Sequence, residues 1–151
     1  MLELSFGQLE QEFLLDLGLA FVCGLIIGVE REIHGKPAGV STQTLVISAA
    51  MLFSFISRTV GEGDPTRIAA QVVSGIGFLG AGLIIKSEAK EQVSNVTTAA
   101  SIWYAAAIGM ALGFNYHFMA LVGAAFVTFM AWFPHVTEIQ RFAKKQTRKI
   151  K

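Results

Sequence analysis

Residues 69–86 read AAQVVSGIGFLGAGLIIK, an apolar stretch with four glycines, Gly75, Gly77, Gly80 and Gly82, set into its middle. At about 1.5 Å per residue such a stretch covers roughly 27 Å as a helix, close to the thickness of a bilayer core. Soluble helices tolerate few glycines, because each costs about 1 kcal/mol relative to alanine. Within a membrane, glycine lets backbones approach closely, or lets a helix break where protein lines a cavity. The stretch therefore predicts a membrane span built for close contact.

The same letters spell G-x-G-x-x-G, the dinucleotide fingerprint. That motif needs a strand before it, a soluble βαβ unit around it and an acidic residue about 20 positions on. Here both flanks are apolar, and the downstream region is Thr97, Thr98 and small apolar residues. The context for a nucleotide site is missing.

The rest of the chain agrees with a membrane setting. It has 151 residues, 53% hydrophobic and only 15% charged, with a mean hydropathy of +0.55, against about 25% charged in ordinary soluble domains. Its single cysteine, Cys23, lies in an apolar run, so no disulfide framework or cysteine metal site is expected. The first twelve residues hold Glu3, Glu10 and Glu12 and no Lys or Arg, the wrong charge for a signal-peptide start, so the first span is expected to be retained.

Hydropathy predicts an all-α, polytopic bundle of about five spans, at residues 13–29, 44–57, 68–85, 97–114 and 117–133. The second is short for a full crossing, and the tight turn Asn115-Tyr116-His117 makes the last two an antiparallel hairpin. Five spans put ten basic residues on one side: Arg31, Lys36, Lys86, Lys90, Arg141, Lys144, Lys145, Arg148, Lys149 and Lys151. Arg58 and Arg67 fall on the other. The positive-inside rule then sets the amino terminus outside and the carboxyl terminus in the cytoplasm. Residues 1–134 form the transmembrane domain and 135–151 a basic tail. In that tail Val136, Ile139, Phe142 and Ala143 are near helical spacing, which fits either a helix lying on anionic lipid or a solvated topology signal. Tyr116, Trp132 and Phe133 fit interfacial anchors.

Polar groups near the bilayer are costly unless paired or hydrated, so they are the first place to seek function. Asp16 lies about one turn into the first span, either facing the bundle as an ion or proton group or reaching out to interfacial water. Glu30, Arg31 and Glu32 close that span, and residues 37–44, PAGVSTQT, lead into the next, with Ser41, Thr42 or Thr44 as a helix cap and anion or head-group contact. Arg67, Gln71, Ser74 and Gly75 follow one another at helical spacing and outline a polar seam on the third span. Thr97, Thr98 and Ser101 open the fourth and can hydrogen-bond across a helix interface. Gly24 with Gly28, and Gly109 with Gly113, are G-x-x-x-G pairs for packing within the chain or for homodimerisation.

No nucleophile, base and orienting group fall at a recognisable spacing, so no enzyme, cofactor or metal centre is predicted. His34, His117 and His135 are scattered. Asp16 and Glu30, fourteen residues apart on one helix, stand about 21 Å from each other and cannot share an ion. No nucleic-acid surface is indicated. The lipid bilayer is the one partner that composition demands.

Four blocks carry a family resemblance: residues 24–32 (GLIIGVERE), 35–46 (GKPAGVSTQTLV), 67–86 (RIAAQVVSGIGFLGAGLIIK) and 97–109 (TTAASIWYAAAIG). In this order they resemble the MgtC/SapB family of bacterial inner-membrane proteins. The resemblance implies a small helical membrane domain linked to growth in low magnesium, ion homeostasis and, in pathogens, survival in macrophages. It implies regulation of membrane energetics and of other membrane proteins, including the ATP synthase. The chain departs from the family's usual pattern at Ser41, where Arg commonly stands, and at Ser94-Asn95-Val96, where a basic-Gly-Leu run is usual. Two readings follow: a non-enzymatic regulator that binds other spans through its small-residue faces, or a conduit for Mg2+, H+ or another cation along the glycine-rich span with Asp16 and Arg67.

Overall fold

The computed structural model describes residues 6–60, 64–87 and 92–147, with side chains described within 7–60, 64–84 and 95–133. Five helices account for almost all of it: α1 (Phe6–Ile33), α2 (Val40–Val60), α3 (Arg67–Leu83), α4 (Val96–Gly113) and α5 (His117–Thr147). Between α3 and α4, β1 (Ile85–Ser87) pairs antiparallel with β2 (Gln92–Ser94), Lys86 opposite Val93. The fold is an all-helical bundle with this one short ribbon.

Two of the helix ends are written plainly in the sequence. After α1, Gly35 takes φ 58°, and the amides of Gly35 and Lys36 return to the carbonyls of Glu32 and Arg31 at 3.0 and 2.8 Å. After α4, Asn115 takes φ 64°, and the amides of Asn115 and Tyr116 return to Leu112 and Ala111, both at 2.8 Å. Both are Schellman caps, which need a left-handed residue just past the helix and therefore favour Gly or Asn.

The element boundaries correct two expectations. α2 is not short: at 21 residues it spans a bilayer core, because residues 40–44 are its first turn rather than a loop. α5 runs on to Thr147, past the Phe133 limit set by hydropathy. The proposed surface contacts of the basic tail lie outside the described side chains.

Helices α1, α2, α4 and α5 surround one core, built from Ala20, Cys23 and Ile27, Ile47 and Met51, Ala105, Ile108 and Leu112, and Ala120 and Ala124. α3 lies outside this ring against α2 and α4, holding Ile76 to Ala50, Ile102 and Ala106. The surface is the inverse of a soluble protein's: Leu14, Phe21, Phe53, Phe78, Phe118, Phe126, Phe129 and Trp132 are all exposed on it. Water would penalise each by about 1.5–3 kcal/mol relative to burial, whereas acyl chains would not. Helices α1, α2 and α4 are long and apolar enough to cross a membrane; α3 and residues 117–133 of α5 are apolar but shorter. This is the exterior of a membrane protein.

Candidate functional site

α2 is the helix on which the others close, and glycine makes that closeness available. A Cβ on Gly24 would stand 2.6 Å from the Cα of Thr44, and one on Gly28 would stand 2.9 Å from the carbonyl carbon of Gly39. On the other side, a Cβ on Gly109 or Gly113 would meet the Cβ of Ala50 at 2.8 Å or of Ser54 at 2.6 Å. Both G-x-x-x-G pairs are therefore used within the chain, where backbone approaches backbone as small-residue interfaces in lipid allow.

The third-span glycines behave differently. Gly75, Gly77 and Gly82 have nothing within 4 Å of an added Cβ, and Gly80 has only Ala99, at 4.0 Å. α3 is an unbroken helix, and its glycines are not a seam inside this chain: the edge of Ala69 and Ile76 takes the contact with α2 and α4, and Gly75, Gly77 and Gly82 lie off that edge. Arg67, Gln71 and Ser74 are exposed with them. Gln71 and Gly75 border an open apolar groove of about 500 Å³ between α2 and α3, floored by Ala106.

Polar chemistry gathers instead at the two ends of the ring. At the end where α1 stops, the Arg31 guanidinium is 3% exposed and donates from Nη2 to Thr98 Oγ1 at 2.5 Å. Gln43, fully buried, donates from Nε2 to Ser101 Oγ at 3.2 Å and to the Ala38 carbonyl at 3.3 Å, and Ser101 Oγ donates to the Thr98 carbonyl at 2.8 Å. One path of hydrogen bonds thus joins α1, α2 and α4. Glu30, also buried, has Oε1 3.0 Å from His34 Nδ1, and among the described residues neither of its oxygens has a hydrogen-bond partner; Arg31 Nε and Gln43 Oε1 likewise have none. Glu32 accepts the Val40 amide at 2.9 Å and so caps α2 with a carboxylate. Ser41, Thr42 and Thr44 do not cap it, and Thr42 and Thr97 are exposed.

At the opposite end Asp16 is fully buried and faces the bundle. His117 Nε2 lies 2.7 Å from its Oδ1, while Oδ2 has no partner. Beside it, Arg58 Nη2 donates to Glu12 Oε2 at 3.0 Å and stacks over the Phe55 ring at 5.2 Å. Between the two ends lies packed apolar core. Among the described residues no group of three His, Cys, Asp or Glu side chains could hold a metal ion.

The sequence pointed to Asp16, Glu30, Arg31, Thr98 and Ser101, and the structure buries all five. It missed Gln43 and the partners of Asp16 and Glu12. Gln43 was discoverable, since with Ile47, Ala50 and Ser54 it forms a stripe at helical spacing that turns inward. His117 follows only from topology: odd-numbered helices run the same way, so α5 begins beside the start of α1.

No solved structure matches the chain. The chain is 31% identical to SapB of Bacillus subtilis over 93% of its own length and 66% of that protein's. It is 44% identical to MgtC of Brucella abortus over 72% of its length and 45% of that protein's. It is 40% identical to a putative magnesium transporter, YhiD, of Escherichia coli over 75% and 56%. It therefore spans from under half to about two thirds of the length of these relatives. The model of the MgtC family matches residues 17–139, most of the chain, and the chain belongs to that family.

Proposed function

We propose that this chain is a non-enzymatic, multi-pass protein of the bacterial inner membrane, amino terminus outside, that adjusts magnesium or ion homeostasis or membrane energetics by binding other spans. The carrying observation is the outward face of α3 that Gly75 and Gly82 share, where they leave open backbone that the bundle itself does not use. Small residues on a lipid-facing helix favour close approach of a second helix, through van der Waals packing rather than hydrophobic burial. The occupant is a second copy of the chain or another membrane protein, the ATP synthase among those that the family suggests.

The test is Gly75→Leu with Gly82→Leu, compared with the unaltered chain for thermal unfolding in detergent, cross-linking in membranes and growth in low magnesium. Unchanged unfolding with loss of cross-linked partner and of growth supports the proposal. Full growth with both leucines in place sinks it.

A second reading, transport of Mg2+ or another cation, is favoured by the buried polar groups at both ends, because intramembrane ionisable residues commonly mark ion pathways. The name of the Escherichia coli relative points the same way. Against it stands the packed apolar core between the ends. Cation flux into vesicles holding only this protein, abolished by Asp16→Asn, would favour transport over contact.

A further inference from the structure

Ile68, Gln71, Gly75, Phe78 and Gly82 follow one another on α3 at alternating spacings of three and four. That is the a/d pattern of a heptad, which draws one seam along a helix for packing against a second helix. All of them are exposed, Phe78 most of all at 83%. Gly75 and Gly82 have nothing within 4 Å of an added Cβ, so no other helix of the bundle fills the seam.

The seam carries both a projection and the recess that receives it. In heptad packing a side chain placed as Phe78 is enters a hole bounded by four residues of the facing helix. On a parallel second copy of α3 those residues are Gly75, Phe78, Leu79 and Gly82, and the two glycines leave room for a phenyl ring. Gln71 falls on the same seam, one turn inside α3, and its side chain makes no hydrogen bond with any described residue. A carboxamide is donor and acceptor at once, so it pairs with a copy of itself. A two-fold axis along the membrane normal sets like residue against like, and copies inserted in one orientation present α3 in parallel. At the start of the helix Asp64 and Arg67 are both exposed, so two copies meet there with charges of each sign rather than as two like charges. The groove between α2 and α3 opens along one flank of the seam, where the exposed Leu45 and Phe53 of α2 give the incoming helix a second wall.

We propose that two copies of this chain pair in parallel through α3, with Phe78 of each entering the glycine recess of the other and the two Gln71 amides bonding across the axis. This rests on the reading of α3 as a contact face and names its occupant. In lipid the pair is held by close packing and the amide bond rather than by hydrophobic burial, and one polar residue in the seam fixes its register.

The experiment is oxidative cross-linking of the full chain in membranes, one added cysteine at a time; the buried Cys23 stays silent. Gln71→Cys and Gly82→Cys, spread along the seam, should each give a disulfide-linked dimer, and Val73→Cys, exposed on another face of α3, should not. A benzophenone carried on the same cysteines reports any other neighbour. In liposomes, energy transfer between labelled copies gives the balance of monomer and dimer as lipid is added. Gln71→Leu should weaken pairing about threefold to thirtyfold, the loss of an interhelical hydrogen bond in lipid. Phe78→Ala should weaken it by about tenfold or more through lost packing. Both side chains lie outside the bundle, so unfolding of the single chain in detergent should not move in either variant. Benzophenone adducts to a different protein, with no disulfide dimer, overturn the pairing and leave the contact face standing; absence of both overturns the two together. Equal dimer at Val73→Cys, or unchanged energy transfer in Gln71→Leu and Phe78→Ala, also overturns the pairing.

Discussion

His117, the first residue of α5, places Nε2 2.7 Å from Oδ1 of Asp16, a residue on α1 that is 0% exposed. This contact fixes α5 against α1 at the end where the chain has just left α4. Removing one partner of a buried polar pair leaves the other without compensation, whereas removing both leaves only a packing defect. His117→Leu is therefore expected to destabilise the bundle by about 2–3 kcal/mol, and Asp16→Leu with His117→Leu together by less than the sum of the single changes. Unfolding of all three variants in detergent gives the coupling energy. A coupling near zero would mean that the pair does not hold these helices together.

The glycines divide into two groups that should respond oppositely to alanine. Gly113→Ala forces a methyl to 2.6 Å from Ser54 Cβ, and Gly109→Ala to 2.8 Å from Ala50 Cβ. Overpacking of this kind typically costs about 1–3 kcal/mol. Gly75→Ala meets nothing within 4 Å, so the purified chain should be unaffected or gain up to about 1 kcal/mol from helix propensity. Thermal unfolding in one detergent checks both, and equal losses at Gly113 and Gly75 would contradict the packing described above.

That contrast also marks what a sequence can reveal. Spans, turns and glycine pairs come from periodicity and local conformation, so Gly24, Gly28, Gly109 and Gly113 were legible as contact residues and Asn115 as part of a tight turn. Which face of α3 turns inward was not legible. The helix sets Ala69, Ile76 and Gly80 on one side and Gly75 with Gly82 on another, and in lipid either face can pack, because the hydrophobic effect does not choose between them. The buried polar groups were half visible. Asp16 and Arg31 announce themselves as charges in apolar runs, but their partners, His117 and Thr98, are 101 and 67 residues away and follow only from the assembled bundle.

In the turn before α3, the Thr66 hydroxyl donates to Asp64 Oδ1 at 2.7 Å and the Thr66 amide donates at 3.0 Å. The hydroxyl bond, then the amide bond, holds the fully exposed Asp64 carboxyl below its ordinary range. A lowered carboxyl adds stability above its unfolded pKa and loses it as the pH falls through the folded value, so this turn should loosen only on acidification. Thr66→Val should return the Asp64 carboxyl toward its ordinary range in a titration followed by NMR. No movement would show that the hydroxyl bond is not what lowers it.

The helix polarity makes the orientation testable with one cysteine at a time. Glu32 contacts Val40 at one end of the bundle and Glu12 contacts Arg58 at the other, so Ser41 and Arg67, both exposed, lie at opposite ends. The native Cys23 is 0% exposed in the core and should stay silent to a charged maleimide, which gives a clean background. With the basic loops inside, Arg67→Cys is expected to be labelled on intact spheroplasts, and Ser41→Cys only after the membrane is opened. Labelling of Ser41→Cys from outside would invert the assignment, placing the Arg31 cluster on the outer face and the Asp16–His117 pair on the cytoplasmic one.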